Sequence, residues 1–415
     1  MYLSKTQNFF LALRKTDYRD SILTYCESLA VQQATYLDSL NVESISRLPL
    51  AGKFFTVKDN IDVAGYATFV GNPGIRYPLK STSAGVIQCL SEAGAILVGK
   101  NLMNEFAAGL DGKNTFYPSL INPAYPQHLV GGSSSGGAVS VAAGLVDFAL
   151  GTDTGGSVRI PACWTGSYGL RLAISDSDIS GVFPRSSTFD SLGIITRNLQ
   201  TLYSAWSVMR KRFTDPSELE NKRAIRICFD PSDLKFVSKP YSIIFQKLIE
   251  RIQKRFTVIE EPIRLPRERL NELALTVLMH EFYRDFSQRF LPKDEQPQRL
   301  GETVLTDLRR GAAVSVKAYR QAIKELFVVR KMLIQSCSDI RISPLAGISA
   351  PLRSAVFDGD RLRMFTLPWS LSGLTVLGVP VKIPYQSGNE PDGVQLIASA
   401  DALHYLFTIA EYMKD

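Results

Sequence analysis

A stretch rich in glycine and serine, residues 131–171, constrains this chain more than any other part of its sequence. It holds two Gly/Ser loops, and each loop is followed by a run of small residues that favours a short helix. Between the loops, Val146–Gly151 has the pattern of a short buried strand. Glycines let several backbone N–H groups point at one ligand atom, and the serines add hydroxyl groups at the same places. This composition indicates a binding or catalytic site rather than a segment of ordinary core.

The two loops closely resemble the signature of the amidase signature family, serine hydrolases that use a Ser–Ser–Lys triad. The first loop is Gly-Gly-Ser-Ser at residues 131–134. The second is Gly-Thr-Asp-Thr-Gly-Gly-Ser-Val-Arg-Ile-Pro-Ala at residues 151–162. A Val-Lys-Asp-Asn segment at residues 57–60 resembles the lysine motif of the same family. The resemblance covers residues 50–200 closely and the chain from residue 342 onward more loosely.

By this resemblance, Ser157 is the nucleophile, Ser133 is the bridging serine and Lys58 is the base. The resemblance also implies a cis peptide bond between Gly132 and Ser133. A free lysine, with a pKa of about 10.4, is mostly protonated at pH 7 and cannot accept a proton. Burial must lower the pKa of Lys58 by roughly 3 units for this role. Ser133 then carries the proton between Lys58 and Ser157, and returns it to the leaving amine.

The resemblance also assigns roles to neighbouring residues of the two loops. Four backbone N–H groups form the oxyanion hole: Thr154, Gly155, Gly156 and Ser157. Losing one such donor typically costs about 100-fold or more in rate. Three residues are interpreted as supports of the loops rather than as catalysts: Ser134, Asp153 and Arg159. The alternative is that both loops only cap helices, because serine and glycine also favour helix N-termini.

A competing catalytic interpretation comes from Gly132–Gly136, which satisfies the G-x-S-x-G pattern of an α/β-hydrolase nucleophile elbow. That elbow needs a strand directly before it and a catalytic histidine late in the chain. Residues 122–128 precede the loop and contain two prolines, which disfavour a central strand. The chain has three histidines, and none has the expected context: His128, His280 and His404. The elbow is therefore the weaker hypothesis.

Neither a cofactor nor a metal is predicted. Gly94–Lys100 nearly fits the phosphate-binding pattern G-x-x-x-x-G-K-[ST], but Asn101 takes the Ser/Thr position and the middle has the pattern of a buried strand. The cysteines lack metal-binding spacing and are interpreted as reduced, mostly buried thiols. They are Cys26, Cys89, Cys163, Cys228 and Cys337.

The composition is ordinary for a soluble enzyme, with 45% hydrophobic and 21% charged residues in a chain of 415. The net charge of +7 is too diffuse to indicate nucleic-acid binding. The N-terminal residues lack a signal-peptide pattern. The apolar run Phe365–Val381 is broken by two prolines and two glycines, which predicts buried strand and turn rather than a membrane span. We predict a cytoplasmic protein that binds neither membranes nor nucleic acid directly, with a homodimer as one option.

The expected fold class is α/β, with a mixed β-sheet core covered by helices on both faces, as the resemblance implies. The whole chain, 1–415, is predicted to be a single domain. It divides into an N-terminal helical segment, a catalytic core, a variable and mostly helical part, and a C-terminal sheet with a closing helix: residues 1–48, 50–200, 200–340 and 342–415. Leu102–Gly109 is also predicted to be helical.

Three segments are predicted to form the substrate pocket: Ala107–Lys113, Phe183–Phe189 and Phe365–Ser370. Ser370 stands where relatives often carry asparagine, and Trp369 beside it is expected to narrow the acyl pocket. Leu172–Ile174 departs from the family, which usually has a Pro-Thr pair after the second loop. This departure puts the local loop geometry in question but leaves the triad complete.

The predicted activity is hydrolysis of a small-molecule carboxylic amide to an acid and ammonia or an amine, through an acyl-enzyme. The run from residue 71 to residue 114 looks most like the arylacetamide-hydrolysing branch, which includes indole-acetamide hydrolases. One alternative is the glutamine-hydrolysing subunit of a tRNA-dependent amidotransferase. Another is a non-catalytic, amidase-like docking protein, which predicts a broken triad. The sequence leaves the substrate open.

Overall fold

The computed structural model describes residues 1–75, 78–211, 225–290, 299–337, 339–355, 359–385 and 388–414. The strands of this part of the chain are β1 (Ile22–Tyr25), β2 (Phe54–Lys58), β3 (Ile96–Asn101), β4 (Phe148–Thr152), β5 (Tyr168–Arg171), β6 (Leu192–Thr196), β7 (Arg226–Phe229), β8 (Thr257–Glu260), β9 (Ile340–Pro344), β10 (Thr375–Tyr385) and β11 (Gly388–Ala398). They form one sheet with the order β1-β3-β2-β4-β6-β5-β10-β11-β9-β7-β8.

The α-helices precede, connect and follow these strands. They are α1 (Tyr2–Leu13), α2 (Glu27–Ser39), α3 (Val42–Ser46), α4 (Gly85–Glu92), α5 (Ser135–Ala142), α6 (Arg159–Trp164), α7 (Leu199–Lys211), α8 (Lys239–Gln253), α9 (Arg267–Phe290), α10 (Glu302–Ala313), α11 (Val316–Gln335), α12 (Gly359–Ser372) and α13 (Tyr405–Tyr412).

The sheet is mixed. Strand β2 is parallel to β3 and β4, and β7 is parallel to β8 and β9. The other neighbouring strands are antiparallel. The α/β fold class with a mixed sheet, predicted from the sequence, is confirmed.

Strand β2 shows why helices are needed on both faces. Successive side chains of a strand point to opposite faces. Phe54 packs in a hydrophobic cluster with Phe10 of α1, whereas Phe55 packs in a second cluster with Leu90 of α4. Phe55 also stacks on Phe148 of β4, with ring centroids 5.1 Å apart. The strand is therefore buried on both sides, which explains its almost continuous apolar sequence.

The parallel pairing of β2 with β4 positions the candidate site. Val57 lies opposite Leu150 in the register of these two strands. Because parallel strands end at the same edge of a sheet, Lys58 at the end of β2 lies beside Thr152 at the end of β4. The lysine motif and the second Gly/Ser loop meet at this edge.

The N-terminal segment contains a strand, so the prediction of helix throughout it is wrong. Residues 22–25 form strand β1, which pairs antiparallel with β3, and Ile22 lies opposite Asn101. The apolar residues of this segment satisfy a helical pattern and a strand pattern equally, because a run this short does not separate the two periods. Pairing with the edge of β3 decides the outcome.

The predicted helix at 102–109 is also wrong. Only Glu105–Ala107 forms a single 3-10 turn, and Phe106 and Ala107 have positive φ angles of 49° and 56°. The backbone here is bonded to other loops instead: the N–H of Phe106 donates to Val70, and the N–H of Asn104 donates to Ser133. Tertiary hydrogen bonds therefore replace the helical ones.

The prolines and glycines of the apolar run Phe365–Val381 predict buried strand and turn. This prediction is wrong for the first half of the run. Residues 359–372 form helix α12 with Pro368 inside it, and β10 begins only at Thr375. All residues from Phe365 to Ser372 are buried, so no polar face marks the helical period. The rest of the run, from Thr375 to Val381, lies in β10 and is strand as predicted.

Candidate active site

Lys58 lies in the interior of the protein at the end of β2, with 1% of its surface exposed. Its Nζ is 2.8 Å from Ser133 Oγ. The Nζ also donates to Thr152 Oγ1 at 2.9 Å and to the Thr152 carbonyl oxygen at 3.3 Å. The lysine is therefore held by neutral oxygen atoms.

Burial lowers the pKa of Lys58 from 10.5 to about 7, and the negative charges of Asp190 and Asp153 oppose this fall without cancelling it. A large fraction of the lysine is therefore neutral near pH 7. A neutral amine has two N–H donors and one lone pair. In the neutral form, donation to the two oxygens of Thr152 would leave the lone pair for Ser133 Oγ. This arrangement suits a base that takes a proton from Ser133.

The first loop places Ser133 and Ser134 between the lysine and the second loop. The Gly132–Ser133 peptide bond is cis, as the resemblance implies. The N–H of Ser134 donates to the Ser157 carbonyl oxygen at 3.1 Å, so the two loops are in direct contact. The Ser134 hydroxyl donates to the Thr152 carbonyl oxygen at 3.4 Å. Helix α5 follows directly, at Ser135.

Ser157 lies in the second loop, two residues before helix α6, and is 4% exposed. Among the described residues, no hydrogen bond joins its hydroxyl to that of Ser133. The Lys58–Ser133 contact is thus formed in this structure, whereas the contact from Ser133 to Ser157 is not. Such contacts often tighten only when a substrate is bound.

Asp153 organises the second loop. Its Oδ1 accepts the N–H of Gly156 at 2.7 Å, and its Oδ2 accepts the N–H of Val158 at 3.1 Å. Arg159 donates to both oxygens, from Nη2 and from Nε, each at 2.9 Å. Burial alone would raise the pKa of Asp153, but the charges of Arg159 and Arg171 and the hydrogen bonds to the carboxylate hold it below its usual value.

Arg159 connects this loop to the C-terminal part of the chain. Its guanidinium donates to Gln395 Oε1 at 2.8 Å and to Ser370 Oγ at 2.7 Å. Helix α12 reaches the loop a second time, because the Thr366 hydroxyl donates to the Gly155 carbonyl oxygen at 2.6 Å. The backbone of the second loop is therefore fixed from both sides.

The backbone N–H groups of the second loop differ in their availability. The N–H of Gly156 is taken by Asp153. The N–H groups of Thr154, Gly155 and Ser157 have no acceptor within the described parts of the chain. Three of the four predicted oxyanion donors are therefore free to bind a developing negative charge.

Asp190 is a residue of the site whose role the sequence does not indicate. Its Oδ1 accepts the Thr154 hydroxyl at 2.6 Å, and its Oδ2 accepts the N–H groups of Arg185 and Ser186 at 2.6 and 3.0 Å. Burial raises the pKa of Asp190, and the hydrogen bonds that it accepts oppose this rise. Asp190 belongs to a segment that resembles the family, but its position there gives no hint of contact with Thr154.

Thr152 and Asn60 are two further site residues that the sequence reasoning misses. The Asn60 side-chain amide donates to Thr152 Oγ1 and to the Phe183 carbonyl oxygen, both at 3.2 Å. Both residues stand within the quoted motifs, Asn60 two positions after Lys58 and Thr152 directly before Asp153. Their proximity to the functional residues is the signal that could have found them.

Two glycines of the loops are required by close approach. A Cβ on Gly132 would lie 2.0 Å from the Asn104 side-chain oxygen. Gly156 has a φ of +116°, and a Cβ there would lie 2.8 Å from the Thr366 hydroxyl oxygen. Larger residues at either position would push the loops out of place.

The three segments predicted to form the pocket contact the catalytic loops. The Leu110 carbonyl oxygen accepts the N–H of Gly132, and the N–H of Phe183 donates to the Asn60 carbonyl oxygen. The position of Trp369 differs from the prediction that this side chain narrows the acyl pocket. It is fully buried, with the guanidinium groups of Arg267 and Arg341 at 5.9 and 5.7 Å from its ring. Its side chain packs in a hydrophobic cluster with residues of α9 and α11 and has no exposed surface with which to line a pocket.

The structure argues against the competing hypotheses. No strand forms over residues 122–134, all of which are described, so the first loop is not a strand–elbow–helix. His280 stacks on Tyr319 at 4.3 Å, and His128 Nδ1 lies 2.7 Å from the Ala350 carbonyl oxygen. Lys100, the lysine of the phosphate-binding pattern, is completely buried in β3 and pairs with Asp59 at 3.2 Å.

The described residues also bear on the state of the cysteines, on metal binding and on membrane spans. No disulfide joins the five cysteines, all of which the structure describes. In the described ranges, no group of three or more histidine, cysteine, aspartate and glutamate side chains could hold a metal ion. No described helix is long and apolar enough to cross a membrane.

Comparisons with known proteins agree on one family. A family model described as Amidase matches residues 6–402. The chain is similar to Amidase 1 of Oryza sativa subsp. japonica, 45% identical over 166 residues, which are 39% of this chain and 38% of that protein. It is also similar to mandelamide hydrolase of Pseudomonas putida, 33% identical over 255 residues, which are 60% of this chain and 49% of that protein. The matches span less than half the length of these two relatives.

Two further similarities extend over most of the chain. A glutamyl-tRNA(Gln) amidotransferase subunit of Methanocaldococcus jannaschii is 27% identical over 363 residues, which are 82% of this chain and 80% of that protein. A solved structure described as a crystal structure of amidase superposes with a TM-score of 0.85 and 27% identity. It covers 99% of this chain and 94% of its own.

Proposed function

The chain belongs to the amidase family, and we propose that it hydrolyses a small carboxylic amide through an acyl-enzyme on Ser157. The observation that carries the proposal is the buried Lys58, whose pKa falls to about 7 and whose Nζ lies 2.8 Å from Ser133 Oγ. A lysine in this state can act as a base near neutral pH. The proposed products are the carboxylic acid and ammonia or an amine.

The first proposed step is attack of Ser157 Oγ on the amide carbonyl carbon. As the C–O bond forms, the Ser157 proton passes to Ser133 Oγ, and the Ser133 proton passes to Lys58 Nζ. The carbonyl oxygen becomes an oxyanion. The free N–H groups of Thr154, Gly155 and Ser157 supply the donors that stabilise it.

The second step is expulsion of the amine. Amide nitrogen is a poor leaving group until it is protonated, so the proton returns from Lys58 through Ser133 to the nitrogen. The C–N bond breaks, and the acyl group remains on Ser157 as an ester. Water then attacks this ester by the same relay and releases the acid.

The test is hydrolysis of a panel of aryl, alkyl and carboxy amides by the purified chain. We expect release of ammonia from at least one member of the panel. Ser157→Ala should lower kcat by at least about 10³-fold, because the residue that becomes acylated is absent. Unchanged hydrolysis by Ser157→Ala would refute the proposal.

A second candidate is the glutamine-hydrolysing subunit of a tRNA-dependent amidotransferase. The similarity to the Methanocaldococcus jannaschii protein, which covers 82% of this chain, favours it. This candidate predicts that the purified chain alone is inactive on simple amides and gains glutaminase activity with partner subunits. A docking role without catalysis is disfavoured, because Lys58, Ser133 and Ser157 are all present and the two loops that carry the serines are in contact.

We also propose a cytoplasmic location, action without a cofactor, and assembly as a homodimer. Size-exclusion chromatography with light scattering tests the last of these on the full chain.

A further inference from the structure

Glu281 is a buried carboxylate in the middle of helix α9, with 1% of its surface exposed. Four groups donate to it. They are the Ser186 hydroxyl, the Thr188 N–H at 3.1 Å, the Thr188 hydroxyl at 2.5 Å and the Tyr319 hydroxyl at 3.0 Å. None of these donors is a cation. A buried charge in such surroundings is costly unless its oxygens are fully hydrogen-bonded, so this set of donors is well matched to a carboxylate.

Three of those donors belong to the loop that follows Phe183. The same loop is held from its other side by Asp190, which accepts the N–H groups of Arg185 and Ser186. Ser186 therefore donates its hydroxyl to one carboxylate and its N–H to the other. The loop is fixed between Glu281 on the helical part of the chain and Asp190 beside the catalytic loops.

Asp190 connects this loop to the candidate site, because it accepts hydrogen bonds from both. Its second oxygen accepts the Thr154 hydroxyl at 2.6 Å. Thr154 is the first of the three residues in the second loop whose backbone N–H is free. The negative charge of Asp190 also acts on Lys58, where it favours the protonated amine. A displacement of Asp190 would thus move an oxyanion donor and change the field at the base.

We propose that Glu281 is a positioning residue for the hydrolysis, acting through Ser186 and Asp190 on Thr154. The inference rests on the proposed function. It gives the helical part of the chain a role in catalysis that the sequence does not indicate. Because reacting groups must be held closely, a small displacement of the loop lowers kcat more than it changes KM.

The four donors around Glu281 determine which side chains could replace it. The Thr188 N–H can only donate, whereas the hydroxyl groups of Thr188 and Tyr319 can turn and accept. A glutamine at position 281 can therefore keep its oxygen toward Ser186 and the Thr188 N–H, and place its amide nitrogen toward the two hydroxyls. An alanine loses all four contacts. Glu281→Gln should consequently retain the function that Glu281→Ala loses.

The experiment compares kcat and KM on an amide for the full chain and its variants. Glu281→Ala should lower kcat by at least about 10-fold with KM changed less than about threefold, and Glu281→Gln should stay within about threefold of the wild type. Glu272→Ala is the matched control, because Glu272 lies on the same helix and its side chain is 67% exposed. The control should match the wild type.

A double-mutant cycle separates positioning from general destabilisation. In a Thr154→Val background, Glu281→Ala should cost less than about threefold in kcat, because the contact through which it acts is already absent. Additive losses would overturn the inference. If Glu281→Ala does not fold by circular dichroism, Ser186→Ala replaces it in the same cycle.

The two proposals fail differently. Hydrolysis that survives in Ser157→Ala would contradict the proposed function. An inactive Ser157→Ala together with wild-type kcat in Glu281→Ala would contradict only the positioning role.

Discussion

Lys58 shows how burial changes the chemistry of a common side chain. The cost of burying a charge lowers its pKa to about 7, although two carboxylates, Asp153 and Asp190, favour the protonated form. Desolvation is thus the larger effect. The oxygens of Thr152 accept the amine protons, which leaves the lone pair for Ser133. The motif identifies this lysine, but the partners that set its charge become visible only in three dimensions.

The charge state of Lys58 predicts the pH dependence of the reaction. Only the neutral amine accepts a proton, so kcat on an amide should rise with pH through about 7 and then level off. The measurement is kcat between about pH 5 and 9. Lys58→Arg should be inactive across this range, because a guanidinium stays protonated. A profile without a change near neutral pH, or an active Lys58→Arg, would show that the base lies elsewhere.

The same pKa shift predicts an effect on stability. The pKa of Lys58 is about 7 in the folded protein and 10.5 as the ordinary value, so between these pH values the unfolded state binds the extra proton. The free energy of unfolding should therefore rise with pH relative to Lys58→Met, by up to about 1.4 kcal/mol per pH unit.

Urea unfolding of both proteins at about pH 7.5 and 9.5 measures this difference. The Lys58→Met protein is the internal control, since it keeps every other titrating group. A difference that stays constant or falls with rising pH would contradict the shift.

At the scale of elements, the second Gly/Ser loop depends on a buried ion pair that the motif only partly reveals. The sequence predicts that Asp153 and Arg159 support the loop. It does not show that Arg159 also binds Ser370 of α12 and Gln395 of β11. These partners come from far along the chain, where the resemblance is loose. Periodicity and local motifs carry no information about such contacts.

Removing Arg159 should therefore destabilise the protein. In Arg159→Gln, the buried carboxylate of Asp153 loses its closest cation, and Arg171 remains 3.7 Å away. The free energy of unfolding should fall by about 3–5 kcal/mol, as for other broken buried pairs. Urea or thermal unfolding measures the change.

Arg269→Gln is the matched control, because Arg269 pairs with Glu272 and Glu325 at the surface. Such exposed pairs contribute about 0–1 kcal/mol. Equal losses in both variants would contradict the role given to Arg159.

The elements that the sequence predicts correctly share one property. The strands β3 and β4 and the short helices α5 and α6 stand within motifs or have clear flanking glycines. Strand β1 and the segment at 102–109 are decided instead by pairing with β3 and by hydrogen bonds to Val70 and Ser133. Their local patterns fit either structure, so tertiary contacts settle them.

At the scale of the whole molecule, the sheet explains why distant motifs form one site. Lys58 and Thr152 meet because β2 and β4 are parallel neighbours. Strands β5 and β10 are neighbours too, which joins the signature region to the C-terminal strands. The α/β class and the contact between Lys58 and Ser133 could be predicted from the sequence. The contributions of α9, α12 and β11 could not, because they depend on how the helical part folds back onto this edge.

The proposed mechanism depends above all on acylation of Ser157, with Lys58 as the base. The most direct test is reaction of the wild type with a fluorophosphonate, followed by intact mass and peptide mapping. We predict one phosphonyl group, attached to Ser157, with no labelling of Ser157→Ala and strongly slowed labelling of Lys58→Met. A label on Ser134, or full labelling of Ser157→Ala, would contradict the account.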